Sequence, residues 1–176
     1  LPSWKHMDSV RDEIEGHGVR ALGMDLDVRS SDSCESLYNR AVEAFGRVDI
    51  LINAAGIYFL HLVCGHDDED WHRVIDINLN GAYRMTKLAL GSMIDTGWGR
   101  IVNIASTASN VGAAENAAYC ASKAGLLGLT RCVALEGAPH GVTCNAVNPG
   151  YVNTAMMGQT IEHEAALSGE SVEQRT

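Results

Sequence analysis

A chain of 176 residues with 46% apolar and 20% charged side chains can bury a core as one domain, and its composition excludes a disordered polymer. Thirteen Lys and Arg against 22 Asp and Glu leave a formal charge of −9 without a basic cluster, which excludes nucleic acid as a partner and mainly supports solubility. Five cysteines (Cys34, Cys64, Cys120, Cys132, Cys144) form neither C-x-x-C pairs nor zinc spacing and read as free thiols of a reducing, cytoplasmic compartment; no signal peptide and no bilayer-spanning apolar run is seen.

In chain order, residues 4–16 predict a helix with Met7, Val10 and Ile14 on one stripe, ended by Gly16 and Gly18. Val19–Leu26 reads as a strand. Residues 30–45 predict a second amphipathic helix, capped by Ser31 or Asp32 and ended by Gly46. Val48–Asn53 is a short β-branched run suited to a strand covered on both faces of a parallel sheet. Ala54-Ala55-Gly56 is a turn, and residues 57–66 form a loop with apolar content. His61, His66 and His72 lie close in sequence but match no metal spacing, and read as surface or loop histidines. Asp67-Asp68-Glu69-Asp70 suits the positive end of a helix running over about 70–95 and stopped by Gly97 and Gly99.

Arg100–Ala105 is the next buried strand, and residues 106–115 a loop of small residues. The helix that follows, to about Glu136, carries only Lys123, Arg131 and Glu136 as charges, so more than one of its sides needs cover: one against the sheet, another against a partner subunit. Val142–Val147 is the last clear strand, before Asn148-Pro149-Gly150 and a polar acidic tail. Strands alternating with helices at this spacing predict a doubly wound parallel α/β sheet of three layers over residues 1–176.

The chemistry centres on Tyr119 and Lys123, four residues apart and so on one helix face. A free phenol has a pKa of about 10, and a nearby ammonium favours the phenolate, which makes the pair a proton-transfer device. In a parallel α/β sheet ligands sit past the carboxyl ends of the strands. Four such ends carry small or polar residues here: Asp25–Val28, Asn53–Gly56, Ala105-Ser106 and Asn148–Gly150. Small residues let an extended ligand approach the backbone.

With those motifs in order, the sequence resembles the short-chain dehydrogenase/reductase family over most of its span to Thr154. Asp27-Val28 resembles the family's adenine contact. Asn53-Ala54-Ala55-Gly56 resembles its N-N-A-G motif, with Ala54 in place of the second Asn. Asn78 resembles the family's structural and catalytic Asn, and Ser106, 13 residues before Tyr119, stands where the catalytic Ser is expected. Ser109 competes with it but at the wrong distance. Tyr119 and Lys123 are the Y-x-x-x-K pair. Pro149-Gly150, Val152 and Thr154 resemble the segment that meets the nicotinamide and phosphate.

The resemblance implies a Rossmann-like NAD(P)-binding domain and hydride exchange between a secondary alcohol and a ketone, with no metal. It implies Tyr119 as general acid or base, Lys123 on the nicotinamide ribose, Ser106 on the substrate oxygen, and Asn78 holding a water joined to Lys123 while breaking its helix locally. It also implies a homodimer or homotetramer through the two long helices.

The family's Gly-rich loop, T-G-x-x-x-G-x-G, has no counterpart in this sequence. Nor do the first two strands of its order 3-2-1-4-5-6-7 or a final C-terminal strand, so the sheet is expected to be incomplete and the chain a fragment of a longer one. Without those strands residues 19–26 lose their neighbour and residues 48–53 become an open edge. The choice between NAD and NADP lies outside this span. The alternative readings are an inactive fragment and a noncatalytic interaction module. Tyr58, Phe59, Leu60, Leu62 and Val63, with Val111, Met156 and Met157, suggest an apolar substrate pocket.

Overall fold

The computed structural model describes residues 7–152 and 158. Three parallel strands, β1 (Ile50–Asn53), β2 (Gly99–Ile104) and β3 (Val142–Val147), pair in the order β1-β2-β3. Asn53 lies opposite Asn103, and Ile104 opposite Val147, so the carboxyl ends form one common edge. This is the parallel α/β sheet expected, in partial form.

Among the described residues, five α-helices accompany it: α1 (Met7–Gly16), α2 (Ser31–Phe45), α3 (Asp68–Ile75), α4 (Gly81–Thr96) and α5 (Ala117–Gly137). Strand alternation puts Ile101, Asn103, Val142 and Cys144 on the covered face. There Ala89 and Met93 of α4 and Val133 of α5 close over them, with Tyr38 of α2 at the margin. Burying each large apolar side chain in such a core stabilises the fold by roughly 1.5–3 kcal/mol. On the opposite face Ile50 and Ile52 remain 57% and 60% exposed and Val147 49%, so the described residues supply two layers of the expected three. The reading of Val48–Asn53 as covered on both faces is corrected accordingly, and the ladder begins at Ile50.

Two further expectations change. Val19–Leu26 is not in a strand. It has the composition of one, but no described strand lies beside it, and a strand needs a partner for its N–H and C=O groups. The cap of α2 is Ser30, not Ser31 or Asp32: its backbone is extended (φ −97°, ψ 120°) and its hydroxyl accepts from the Ser33 N–H at 3.2 Å. Asp32 sits inside the first turn, where its charge favours the helix dipole.

The long helix expected over 70–95 is real but interrupted. Asp67 caps α3 by accepting from the Glu69 N–H at 2.8 Å. A π turn over Asp76–Asn80 then joins α3 to α4, with buried Asn78 inside it. The local break expected at Asn78 is therefore present. Gly97, in the left-handed region at φ 70°, ends α4. No helix among the described residues is long and apolar enough to cross a membrane.

Candidate active site

Helix spacing does what it promises on α5. Tyr119 and Lys123 share a face, and the Lys123 Nζ lies 5.5 Å from the centre of the Tyr119 ring. Lys123 is 4% exposed, and burial pulls its ammonium down to about 8 from the ordinary 10.5. Its Nζ donates to the carbonyl of Ile104, the last residue of β2, at 2.7 Å. That bond fixes the ammonium at the carboxyl edge of the sheet.

Asn78 joins the same group from the π turn. Its Oδ1 accepts from the Ile57 N–H at 2.8 Å, and its Nδ2 donates to the Ile57 carbonyl at 2.9 Å and to Ser122 Oγ at 3.1 Å. Ser122, fully buried, donates in turn to the Tyr119 carbonyl at 2.8 Å. A β-carbon on Gly56 would stand 3.6 Å from both Asn78 Oδ1 and Lys123 Nζ, so the turn after β1 passes directly over this pair. Ser122 and the Ile57 backbone were not found from sequence. A serine three residues after the tyrosine lies on the Lys123 side of α5, the one signal that could have pointed to it.

Ser106 follows β2 at the same edge. It caps a short 3-10 turn (Thr107–Ser109) that packs on α5. Its hydroxyl accepts from the Ala108 N–H at 3.1 Å, which leaves the hydroxyl proton to donate elsewhere. Ser109 Oγ accepts from the Ser106 N–H at 3.2 Å, so it supports Ser106. Pro149 reaches the same turn, its carbonyl accepting from the Thr107 N–H at 2.9 Å. Gly150 and Val152 follow, exposed. Thr154, Met156 and Met157 lie outside the described residues.

Beneath this edge Asn53 Nδ2 donates to Asn103 Oδ1 at 2.8 Å, and Asn103 Nδ2 donates to Thr130 Oγ1 at 2.9 Å. This polar ladder ties β1 and β2 to α5. A cavity of about 150 Å³ opens beside Asn53, Ala54 and Ala55, with Val28, Leu26 and Met85 among its walls. Val28 is pressed against Gly81, where a β-carbon would meet it at 2.7 Å, so α4 admits only glycine there without a shift. Arg84 Nη1 donates to the Val28 carbonyl at 3.0 Å and Nη2 to Asp76 at 2.8 Å, which joins this segment to the π turn. Asp27 is half-exposed and held by Arg29, whose guanidinium and backbone N–H donate to it and push its carboxyl down to about 2. Arg29 and Arg84 were not singled out from sequence.

Tyr58 packs edge-on against Tyr119, with ring centres 6.3 Å apart. Leu62 and Val63 in the loop after β1 and Val111 in the loop before α5 are exposed. His61 and His66 lie in the loop as expected, half-buried with ring centres 5.0 Å apart, and His72 is exposed. Among the described residues, no group of three or more His, Cys, Asp or Glu side chains could hold a metal ion. All five cysteines are free thiols, and burial raises Cys34 and Cys144.

Comparison with known proteins bears on this arrangement. The family model for short chain dehydrogenases matches residues 3–165. A D-beta-hydroxybutyrate dehydrogenase of Cupriavidus necator is 39% identical over 169 residues, covering 95% of this chain and 66% of its own length. A 3-oxoacyl-[acyl-carrier-protein] reductase of Synechocystis is 40% identical over 149 residues, covering 85% of this chain and 60% of its own. A crystal structure of a variant actinorhodin polyketide ketoreductase with NADPH superposes with a TM-score of 0.92 at 40% identity, covering 97% of this chain and 66% of that one. The chain thus spans 60–66% of the length of these proteins.

Proposed function

The chain belongs to the short-chain dehydrogenase family, and on that premise we propose that it carries the proton-transfer half of an NAD(P)-dependent oxidoreductase that interconverts a secondary alcohol and a ketone. The observation that carries this reading is the buried Lys123 ammonium 5.5 Å from the Tyr119 ring, at the common carboxyl edge of the strands. Small residues at that edge support the approach of a dinucleotide: Ala54 and Ala55 border the cavity beside Val28, and the passage over Gly56 brings the backbone against Asn78 and Lys123.

Bound NAD or NADP would supply or accept the hydride. Asp27, Val28 and the Asn53–Gly56 turn would hold its adenine side, and Pro149, Gly150, Val152 and Thr154 its nicotinamide side. Tyr119 gives its phenolic proton to the carbonyl oxygen in reduction and takes the hydroxyl proton in oxidation. Ser106 donates its hydroxyl proton to the same substrate oxygen and so stabilises the charge that builds there. Lys123 holds the ribose hydroxyls and favours the phenolate. Asn78 keeps the Gly56-Ile57 turn in place beside Lys123, the position from which a proton can be relayed outward.

Exposed Tyr83 on α4 and Leu135 on α5 support a homodimer or homotetramer built on these helices. Five free thiols suit a cytoplasmic setting.

The test is turnover of NADH and NADPH with a panel of small ketones by the full-length protein, alongside its Tyr119→Phe variant. Consumption that the variant loses supports the reading. Full-length protein inactive on every ketone with both cofactors, or a Phe variant as active as its parent, would overturn it in favour of a noncatalytic module.

A further inference from the structure

The segment after β1 is held down at successive residues, and the last hold reaches the catalytic helix. Ile57 is clipped by Asn78, and Tyr58 lies against the Tyr119 ring. His61 then donates its backbone N–H to the Glu115 carbonyl at 2.8 Å and forms an isolated parallel bridge with Asn116. Those two residues are the entry to α5: the Asn116 carbonyl accepts from the Cys120 N–H at 2.9 Å, in the turn that carries Tyr119. Glu115 has φ 62°, a left-handed conformation that costs a non-glycine residue energy and persists only where its surroundings hold it.

The His61 side chain is itself anchored. Its Nε2 lies 3.1 Å from Asp70 Oδ2 on α3, and both side chains are about two-thirds buried (35% and 27% exposed). Phe59 and His66 flank the imidazole at 6.4 and 5.0 Å between ring centres. His66 is fixed in turn by Trp71 and by a 2.9 Å bond between its Nδ1 and the Asp67 carbonyl. The imidazole therefore has one well-defined seat, and helix α3 holds the backbone that pins the entry to α5.

We propose that His61, seated by the Asp70 carboxylate, is a positioning residue for Tyr119: through the His61 to Glu115 backbone bond it sets where the turn bearing the phenol begins. The proposal rests on the reading of Tyr119 as the proton-transfer group, but its geometric content is testable apart from that reading. Neither side chain touches the reacting atoms.

The experiment uses the full-length protein labelled with 3-fluorotyrosine, with the Tyr119 and Tyr58 signals assigned by Y119F and Y58F. Fluorine spectra, amide exchange at His61, kcat and KM are compared for H61A, H61Q, D70A and D70N. H61A and D70A are expected to shift and broaden the Tyr119 signal, to speed His61 amide exchange, and to lower kcat by about tenfold to hundredfold with little change in KM. H61Q, which places an amide N–H near the lost Nε2, and D70N, which keeps an acceptor, restore most of each property. They also preserve the test if the alanine variants fail to fold. A Tyr119 signal unmoved in H61A and D70A, or a loss in H61Q as large as in H61A, overturns the proposal. If the signal moves while turnover stays at the parent level, the positioning stands and the catalytic reading of Tyr119 fails instead.

Discussion

Helices α1 and α5 both carry apolar residues at helical spacing, one stripe on α1 and most of the surface on α5, and they end in opposite environments. Along α5, Ala118, Ser122, Lys123, Leu126, Thr130, Val133 and Gly137 are buried against β3, the Ser106 turn and α3. Along α1 no residue is buried, and Val10 and Ile14 of its apolar stripe stay 50% and 41% exposed. The segment that follows α1 repeats the contrast: Val19–Leu26 has strand composition and no ladder, while Val142–Val147 pairs along its length with β2. Periodicity tells where a helix or strand can form. Whether it stabilises anything depends on a neighbour that receives its face, and of these two helices only α5 buries one among the described residues.

That contrast can be broken or sharpened by measurement. The largest effect belongs to the functional face of α5: Tyr119→Phe should lower turnover of the full-length protein by about 10²–10⁴-fold, the range for removing a general acid or base. Its urea midpoint should barely move. Next comes packing. Leu126→Ala empties a site that is 1% exposed and should cost about 2–5 kcal/mol in urea denaturation. Ile14→Ala on α1 should stay within about 0.5 kcal/mol. Equal costs at the two sites would mean that α1 is covered in the full-length protein.

A third measurement uses the buried ammonium. Lys123 titrates at about 8 in the folded protein against 10.5 unfolded, so between these values the unfolded state binds more protons. Stability from this group therefore rises as pH climbs from about 8 towards 10.5, and the burial cost is present in full below that window. Lys123→Met should flatten this rise in pH-dependent urea midpoints. An unchanged slope would mean that the lysine is hydrated.

The sequence by itself determined the features that depend on short-range periodicity. The parallel α/β class, the strands β1, β2 and β3, and the extent of α5 all follow from local pattern. So does the meeting of Tyr119 with Lys123, because four residues make about one helical turn. The tertiary structure decided everything that needed a distant partner. Among the described residues it withheld a ladder from residues 19–26, left one face of the sheet bare, and chose Ser30 over Ser31 and Asp32 as the cap by placing its hydroxyl on the Ser33 amide. It also turned Asn78 from a polar residue in a helix into the clip on Ile57, and seated His61 on Asp70. Those contacts join residues 21 and 9 positions apart, and the His61 bond to Glu115 spans 54. No local pattern encodes such pairings; they exist only once the sheet has brought the loops at its carboxyl edge together.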